Sequence, residues 1–111
     1  MSRGLRSVIA QLRSCTLPLK IETGRFNHIL LEERICDLCN LNQVESESHF
    51  MFNCPLYDSL RTNLIPEVCT NNLTEVEKWC LIFDNHHLIK SSALYLKDSL
   101  QKRTNCIFKN V

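Results

Sequence analysis

The sequence predicts a mainly α-helical protein, and three observations support this fold class. Glycine and proline, the residues that most often mark turns, number only two and three among 111 residues. In several segments apolar residues recur every three or four positions, which is the spacing of one helix face. The hydrophobic content of 44% is that of an ordinary globular chain, and the length suits one small core.

The first predicted element is an amphipathic helix over residues 3–14. Its apolar residues fall at helical spacing, and they are Leu5, Val8, Ile9 and Leu12. Pro18 ends the helical stretch, because proline lacks a backbone donor and disfavours helix in the residue before it. Gly24 predicts a turn over residues 22–25, and residues 30–34 are expected to form either a short helical turn or a loop.

Residues 36–54 predict a small hairpin that is followed by a helical turn over residues 46–52. Pro55 suits the first turn of the next helix, since its missing N–H would have no partner there, and that helix ends before Pro66. Tyr57 is expected to pack beside the cysteines with its hydroxyl outward. Arg61 lies four residues further along the same helix face. Two contacts are open for its side chain, one with another part of the protein and one with a phosphate group.

The next predicted helix begins at Thr74, because Thr74 and Glu77 have the spacing of a capping box. In this helix Trp79 is expected to anchor the core, and Cys80 is expected to be a buried thiol. A final amphipathic helix is predicted over residues 88–103.

Two domains are predicted along the chain. Residues 1–66 hold the N-terminal helix and the cysteine-rich module, and residues 67–111 form a helical tail. The region of Asn71 and Asn72 is the expected linker. One continuous small domain is the alternative.

Seven cysteines are present, an odd number that does not suit a complete disulfide framework. Arg3, Arg6 and Arg13 precede no apolar h-region, so no secretory signal is predicted. No apolar run approaches the ~20 residues that cross a bilayer, and no membrane partner is expected. We therefore expect an intracellular protein, nuclear or cytoplasmic, in which thiols stay reduced and metal binding is the better use for some of them.

Four residues have the spacing of a metal site, Cys36-x2-Cys39-x9-His49-x4-Cys54. Cys36 and Cys39 can direct their sulfur atoms to one point across a tight turn. His49 and Cys54 can direct their ligand atoms to the same point from a helical turn. Thiolates and imidazole favour Zn²⁺, and a fully protein-ligated site is structural. The sequence therefore predicts one structural zinc ion that holds together a small module of one hairpin and one helical segment. The ligands are three cysteines and one histidine (CCHC), and amphipathic helices flank the module.

The competing interpretation of these four residues is that the cysteines are buried small hydrophobic residues and the histidine lies on the surface. Four further cysteines lack close ligand partners in the sequence and receive no assigned role; they are Cys15, Cys69, Cys80 and Cys106.

Further short blocks flank the four ligands in a fixed order. These are Leu17-Pro18-Leu19, Gly24-Arg25-Phe26, Glu33-Arg34, Val44-Glu45-Ser46-Glu47, His49-Phe50, Cys54-Pro55, Tyr57 and Arg61. Together they resemble the zinc-binding segment near the C-terminus of non-LTR (LINE-like) retrotransposon reverse transcriptases. The resemblance covers about residues 5–64, whereas residues 65–111 resemble the helical tail of that family only loosely.

The resemblance implies an accessory module that helps such a polymerase hold template RNA or target DNA. The chain itself lacks the paired aspartates of a polymerase palm, since Asp-Asp occurs nowhere in it. We therefore expect no enzymatic activity, and the resemblance implies a fragment or remnant of a larger element-encoded protein. A nuclease or thiol oxidoreductase that used Cys36 and Cys39 is disfavoured, because His49 and Cys54 would then be coincidental.

Charge is segregated along the chain. Residues 1–35 carry six Lys/Arg against three Asp/Glu, residues 36–84 carry two against eight, and residues 85–111 carry five against one. One functional hypothesis is therefore non-catalytic binding of RNA or DNA through the basic flanks. The residues expected to contribute are Arg13, Lys20, Arg25 and Arg34, with Phe26 stacking on an unpaired base.

The other hypothesis is a zinc-stabilised structural or protein-interaction module with no affinity for nucleic acid. In that case the apolar stripe of the last helix would dock on a missing polymerase body or on a second copy of the chain. The acidic residues near the predicted zinc, Asp37, Glu45 and Glu47, argue against a nucleic-acid contact at the zinc loop itself.

Overall fold

The computed structural model describes residues 2–69 and 72–109, and over these residues the protein is mainly α-helical, as predicted. Its α-helices are Arg3–Ser14 (α1), Lys20–Phe26 (α2), Asp58–Leu64 (α3), Glu75–Asp84 (α4) and His86–Lys109 (α5). Shorter 3₁₀ turns span Leu31–Glu33, Pro55–Tyr57 and Pro66–Cys69, and His49–Asn53 is a π-helical turn. Within the described ranges, β pairing is limited to one antiparallel bridge between Ile35 and Val44.

Helix α1 has the predicted bounds, and local capping explains where it begins and ends. The Ser2 hydroxyl accepts a hydrogen bond from the Leu5 N–H at 3.3 Å. At the other end Cys15 adopts a left-handed conformation with φ of 58°, which turns the chain out of the helix. Ile9 and Leu12 are buried in the core, so the predicted apolar face is the face that packs.

The turn predicted over residues 22–25 is wrong, because these residues lie inside α2. Glycine is required at position 24 because another side chain packs closely against the helix, and not because the chain turns there. A Cβ atom at this position would lie 2.7 Å from Cγ of Arg34, which packs across the helix. The Arg34 guanidinium then donates to the backbone carbonyls of Ile21 and Ile29, each at 2.9 Å.

Helix α4 confirms the capping box. The Thr74 hydroxyl accepts from the Glu77 N–H at 3.2 Å, and the Glu77 carboxylate accepts from the Thr74 N–H at 3.4 Å. Trp79 packs edge-on against Phe52 with 4.7 Å between ring centroids, in keeping with its expected role as an anchor. The buried thiol expected at Cys80 is wrong, because Cys80 lies on the exposed side of the helix.

Helix α5 is longer than predicted and is the element against which α1, α3 and α4 pack. It begins before its apolar stripe because the Asn85 side chain accepts hydrogen bonds from the N–H groups of His87 and Leu88, at 2.9 and 3.2 Å. Its buried residues include Leu88, Ala93 and Leu96. No helix within residues 2–69 and 72–109 is long and apolar enough to cross a membrane.

One hydrophobic core joins both predicted domains. It contains Leu12 of α1, Phe50 of the cysteine-rich segment, Ile82 of α4 and Leu96 of α5. The division at residue 66 stays a prediction, and the expected linker falls partly outside the described residues, since Asn71 is not among them. The shared core places the cysteine-rich segment against α5.

Candidate metal centre

A short hairpin positions the first two cysteines. The Cys36 N–H donates to the Gln43 carbonyl at 2.9 Å, and the Glu45 N–H donates to the Arg34 carbonyl at 2.9 Å. Asn42 adopts a left-handed conformation with φ of 55°, which asparagine tolerates better than most residues. The chain therefore reverses direction between Cys36 and Gln43, and Cys39 lies in the connecting loop.

A π-helical turn positions the other two candidate ligands. The Cys54 N–H donates to the His49 carbonyl at 2.8 Å, so the two residues that close the turn are the histidine and the cysteine themselves. Short π-helical turns occur frequently at functional sites. The helical turn predicted over residues 46–52 is present here, but its wider π geometry was not apparent from the spacing.

The structure brings all four sequence-predicted ligands together. The Sγ atoms of Cys36, Cys39 and Cys54 and a ring nitrogen of His49 all lie within 4.8 Å of one another. The shortest contact recorded among them joins Cys39 Sγ and His49 Nε2 at 3.4 Å. Three of the residues are buried and Cys39 is half-buried, so the group can hold a metal ion at the edge of the core.

Gln43 determines which nitrogen of His49 faces the cysteines. The His49 Nδ1 atom lies 2.9 Å from Oε1 of Gln43. Because an amide oxygen only accepts hydrogen bonds, Nδ1 carries the proton and donates it to Gln43. The lone pair of Nε2 is then free toward the three sulfurs, which is the arrangement of a metal-ligating histidine and its supporting residue.

Burial sets the electrostatics of the site. It raises the pKa of the Cys36 thiol, and the nearby Glu45 carboxylate adds to this effect. Burial also raises the pKa of Cys54 to about 12, and it lowers the pKa of His49. The imidazole is therefore held in the neutral form that ligates metals, whereas the two thiols need a nearby cation to become thiolates.

Arg61 stabilises the π-helical turn through hydrogen bonds to its backbone. Its side chain is 3% exposed, and its guanidinium donates to the backbone carbonyls of Phe50, Met51 and Cys54. The Tyr95 hydroxyl of α5 also donates to the Phe50 carbonyl, at 2.6 Å. Of the two contacts that the sequence left open for Arg61, the structure gives the structural one. Tyr95 was missed, because nothing in its local sequence indicates a contact 45 residues away.

A second buried polar contact joins the hairpin to α5. Glu45 is 2% exposed and accepts two hydrogen bonds from the Arg103 guanidinium, at 2.7 and 2.9 Å. Its Oε1 also accepts from the Lys20 N–H at 2.7 Å. The outward hydroxyl expected for Tyr57 is wrong, since this oxygen is buried and has no hydrogen-bond partner among the described residues.

The five residues expected to bind nucleic acid lie in two places. Lys20, Arg25 and Phe26 belong to α2, and Arg34 packs across that helix. Arg13 instead lies over the ring of Phe83, with its guanidinium 5.2 Å from the ring centroid.

Three of these cations already have partners within the chain. Arg34 donates to backbone carbonyls, and Lys20 forms an ion pair with Asp37. Arg25 lies over Phe26 and pairs with Glu22, but it remains exposed, and Phe26 is 72% exposed. Lys20 and Arg34 therefore have structural contacts that the sequence did not reveal.

The fold and the site define a small, mainly α-helical protein with a group of three cysteines and one histidine that can hold a metal ion. Comparison with known proteins adds no further likeness: no protein-family model matches the chain, and neither does a curated protein or a solved structure. The resemblance to the reverse transcriptase segment therefore stays a prediction.

Proposed function

We propose that this chain is a non-catalytic module held together by one structural zinc ion. The convergence of the four nitrogen and sulfur ligand atoms carries this proposal. At Zn–S and Zn–N distances of about 2.3 and 2.0 Å, tetrahedral geometry requires S···N and S···S separations of roughly 3.5 and 3.8 Å. The Cys39–His49 contact of 3.4 Å agrees with the S···N value, and all pairs lie within 4.8 Å, a limit about 1 Å above the S···S value.

The donor set supports a structural role for the metal. Four protein ligands complete a tetrahedral zinc site and leave no position for water or substrate. The ligands come from the hairpin and from the π-helical turn, so a bound metal ion joins these two segments. For these reasons we propose no enzymatic activity for the chain.

Metal analysis of the purified protein, combined with a chelator titration followed by circular dichroism, tests this proposal. We expect one equivalent of zinc, and we expect structure to be lost as the chelator removes it. A protein that contains no metal and keeps its full helicity would contradict the proposal.

We further propose that the chain is an accessory module of a reverse transcriptase of the LINE-like kind. Several of the blocks that carry the resemblance contribute to the metal centre: Glu45, His49 and Phe50 lie in or beside the ligand loops, and Arg61 donates to the carbonyls of Phe50 and Met51. Residues that contribute to one site are expected to be found together in the proteins that share the site. This supports treating residues 5–64 as one module.

Binding of RNA or DNA is the second proposed function, and the exposed cations favour it. Arg13 and Arg25 each lie over an aromatic ring with the guanidinium accessible to solvent. Fluorescence anisotropy with labelled single-stranded RNA at low salt tests it. Absence of binding at micromolar protein, together with a stable dimer by solution mass measurement, would instead favour a protein-interaction module.

A further inference from the structure

A groove of about 380 Å³ lies between α1 and the beginning of α5. Its polar lining consists of cationic or ionisable basic side chains, Arg6, Arg13 and His86, and its floor is formed by Ile9, Ala10 and Ile89. Both arginines and the histidine are exposed. No carboxylate lines the groove.

The basic side of the groove continues along α1. This helix carries Arg3, Arg6 and Arg13 and no acidic residue. Arg6 and Arg13 are seven residues apart, roughly two helical turns, so they lie on one line along the helix. Within the described part of the chain, none of the three forms an ion pair, whereas Lys20, Arg25, Arg61 and Arg103 all do.

The unpaired, exposed cations of α1 are free to bind an external anion. Clefts lined by one sign of charge concentrate ligands of the opposite sign. The basic residues at the end of α5 do not supply an equivalent surface, because Arg103 binds Glu45 and Lys102 donates to the Leu56 carbonyl at 2.8 Å. The charge pattern therefore indicates a polyanion at α1.

Aromatic stacking in the adjoining cavity, which shares Arg13 with the groove and is also lined by Glu47, favours one kind of polyanion. The Arg13 guanidinium lies over Phe83, and the Phe83 ring lies nearly parallel to Trp79, with 10° between their planes. Arginine planes held in this way stack on unpaired bases, and aromatic side chains next to a basic groove are typical of single-strand binding. A duplex offers no free base faces for such a platform.

A membrane surface fits this groove less well. Lipid-binding amphipathic helices insert their apolar face into the bilayer. The apolar residues of α1 are not available for insertion, because Ile9 and Leu12 are buried against the rest of the core and Leu5 and Val8 pack beside them.

We propose that the groove between α1 and α5 binds single-stranded nucleic acid, with phosphates at Arg6 and His86 and a base stacked on Arg13. This inference rests on nucleic-acid binding, the second function proposed above, and it moves the contact surface away from α2. The predicted residues Lys20 and Arg34 then contribute to structure, and Arg13 alone among the five binds the ligand.

The experiment measures binding of a fluorescein-labelled oligocytidylate to the zinc-loaded protein at several salt concentrations. The Arg6→Gln/Arg13→Gln variant is expected to lose about tenfold or more in affinity. Its slope of log affinity against log salt should be smaller by about 0.7, because Arg6 is the phosphate contact that this variant loses and one such contact on a single strand contributes about 0.7. Circular dichroism and zinc content establish that each variant is folded.

Two further double variants make the outcome specific. Lys78→Gln/Lys97→Gln removes the same charge from outside the groove and is expected to bind almost as the original protein does. Arg25→Gln/Phe26→Ser removes the rival surface on α2. Arg13→Lys keeps the charge but loses the stacking plane, so it should weaken binding and leave the salt slope nearly unchanged.

The possible results separate the two proposals. If the original protein binds no oligonucleotide, nucleic-acid binding itself fails. If binding is lost only in Arg25→Gln/Phe26→Ser, or equally in Lys78→Gln/Lys97→Gln, the function stands and the groove assignment is overturned. Tighter binding of duplex DNA or of phosphatidylserine vesicles than of the oligonucleotide would overturn the single-strand assignment.

Discussion

The metal centre and the helices α1, α4 and α5 belong to one core, yet different interactions stabilise them. Around the metal centre, residues 34–57 form one isolated bridge, a π-helical turn and a single 3₁₀ turn. Three of their backbone carbonyls accept hydrogen bonds from the Arg61 side chain. The three helices instead bury apolar residues such as Ile82 and Leu96, both fully inaccessible to solvent.

This difference follows from the length of the elements. A helix of 24 residues satisfies most of its backbone groups internally and needs only an apolar face to pack. Turns of three to five residues cannot do so, because each fixes the backbone for very few hydrogen bonds. The buried arginine, together with the metal ion that we propose, therefore takes the place of regular secondary structure in one region, whereas burial of apolar surface suffices in the other.

Loss of one ligand should produce the largest effect, and it should begin in the metal region. Cys54→Ser removes a buried ligand, and structural zinc supplies roughly 10–16 kcal/mol of apparent folding free energy in small domains. That exceeds or equals the total stability of about 5–15 kcal/mol expected for a domain. We expect loss of stoichiometric zinc by elemental analysis and a cooperative loss of helicity by circular dichroism.

Cys80→Ser is the matched control, because Cys80 is exposed and lies on α4 away from the cluster. It should retain one zinc ion and its helicity. A Cys54→Ser protein that kept both would show that the four residues form no metal site.

Arg61→Met should have the next largest effect, and it tests whether buried hydrogen bonds maintain the metal region. The variant keeps most of the side-chain volume but removes the donor of the Met51 carbonyl and one of two donors of the Phe50 and Cys54 carbonyls. An unsatisfied buried carbonyl costs about 1–3 kcal/mol and each of the two other lost hydrogen bonds about 1 kcal/mol, so we expect a loss of about 3–5 kcal/mol by urea unfolding.

Arg25→Met is the control, since Arg25 is exposed and its ion pair with Glu22 is screened by water. Its effect should be within about 0.5 kcal/mol. If Arg61→Met were equally mild, the carbonyls would have found other donors, and the contrast between the two regions would be weaker than the hydrogen bonds suggest.

Leu96→Ala applies the same test to the helical region. Leu96 is fully buried on α5, and truncating such a residue costs about 2–5 kcal/mol through lost burial and the cavity left behind. Unfolding in urea should shift accordingly, while the native protein should still contain one zinc ion. Val76→Ala, at a position that is 71% exposed on α4, is the control and should change stability little.

The sequence predicted the two regions unequally. The bounds of α1, the cap of α4 and the grouping of Cys36, Cys39, His49 and Cys54 were predicted, because each depends on residues less than about twenty positions apart. Gly24 was misassigned because its role is to accommodate Arg34, and a lone glycine looks the same in a turn and in a close approach. Local spacing carries no information on such packing.

The long-range polar contacts were likewise beyond the sequence. Glu45 binds Arg103 across 58 positions, and the Tyr95 hydroxyl reaches the Phe50 carbonyl across 45. The charge count assigned Arg103 to a basic flank, whereas the fold places it beside a buried carboxylate. Segregation of charge along a chain predicts a binding surface only for side chains that folding leaves unpaired, as on α1.

Gln43→Ala should have a smaller effect that appears in metal affinity. Gln43 accepts the Nδ1 proton of His49 and thereby keeps Nε2 directed at the sulfurs. Loss of such a supporting partner typically costs about 10–100-fold in metal affinity. Competition with a chromophoric chelator measures this change. Gln101→Ala, on the exposed face of α5, should leave the affinity unchanged, and an equal loss in both variants would remove Gln43 from the site.

Thr74→Ala should have the smallest effect, and it should leave the metal centre untouched. The Thr74 hydroxyl accepts the Glu77 N–H at the beginning of α4, and deleting such a cap costs about 1 kcal/mol. Thr74→Ser keeps the oxygen and should recover most of the loss in urea unfolding. Zinc affinity should be the same in all three proteins, because α4 contacts the ligand segment at Ser48 and Phe52, neither of which is a candidate ligand. A fall in zinc affinity that follows the loss of the cap would show instead that the two regions unfold and bind metal as a single unit.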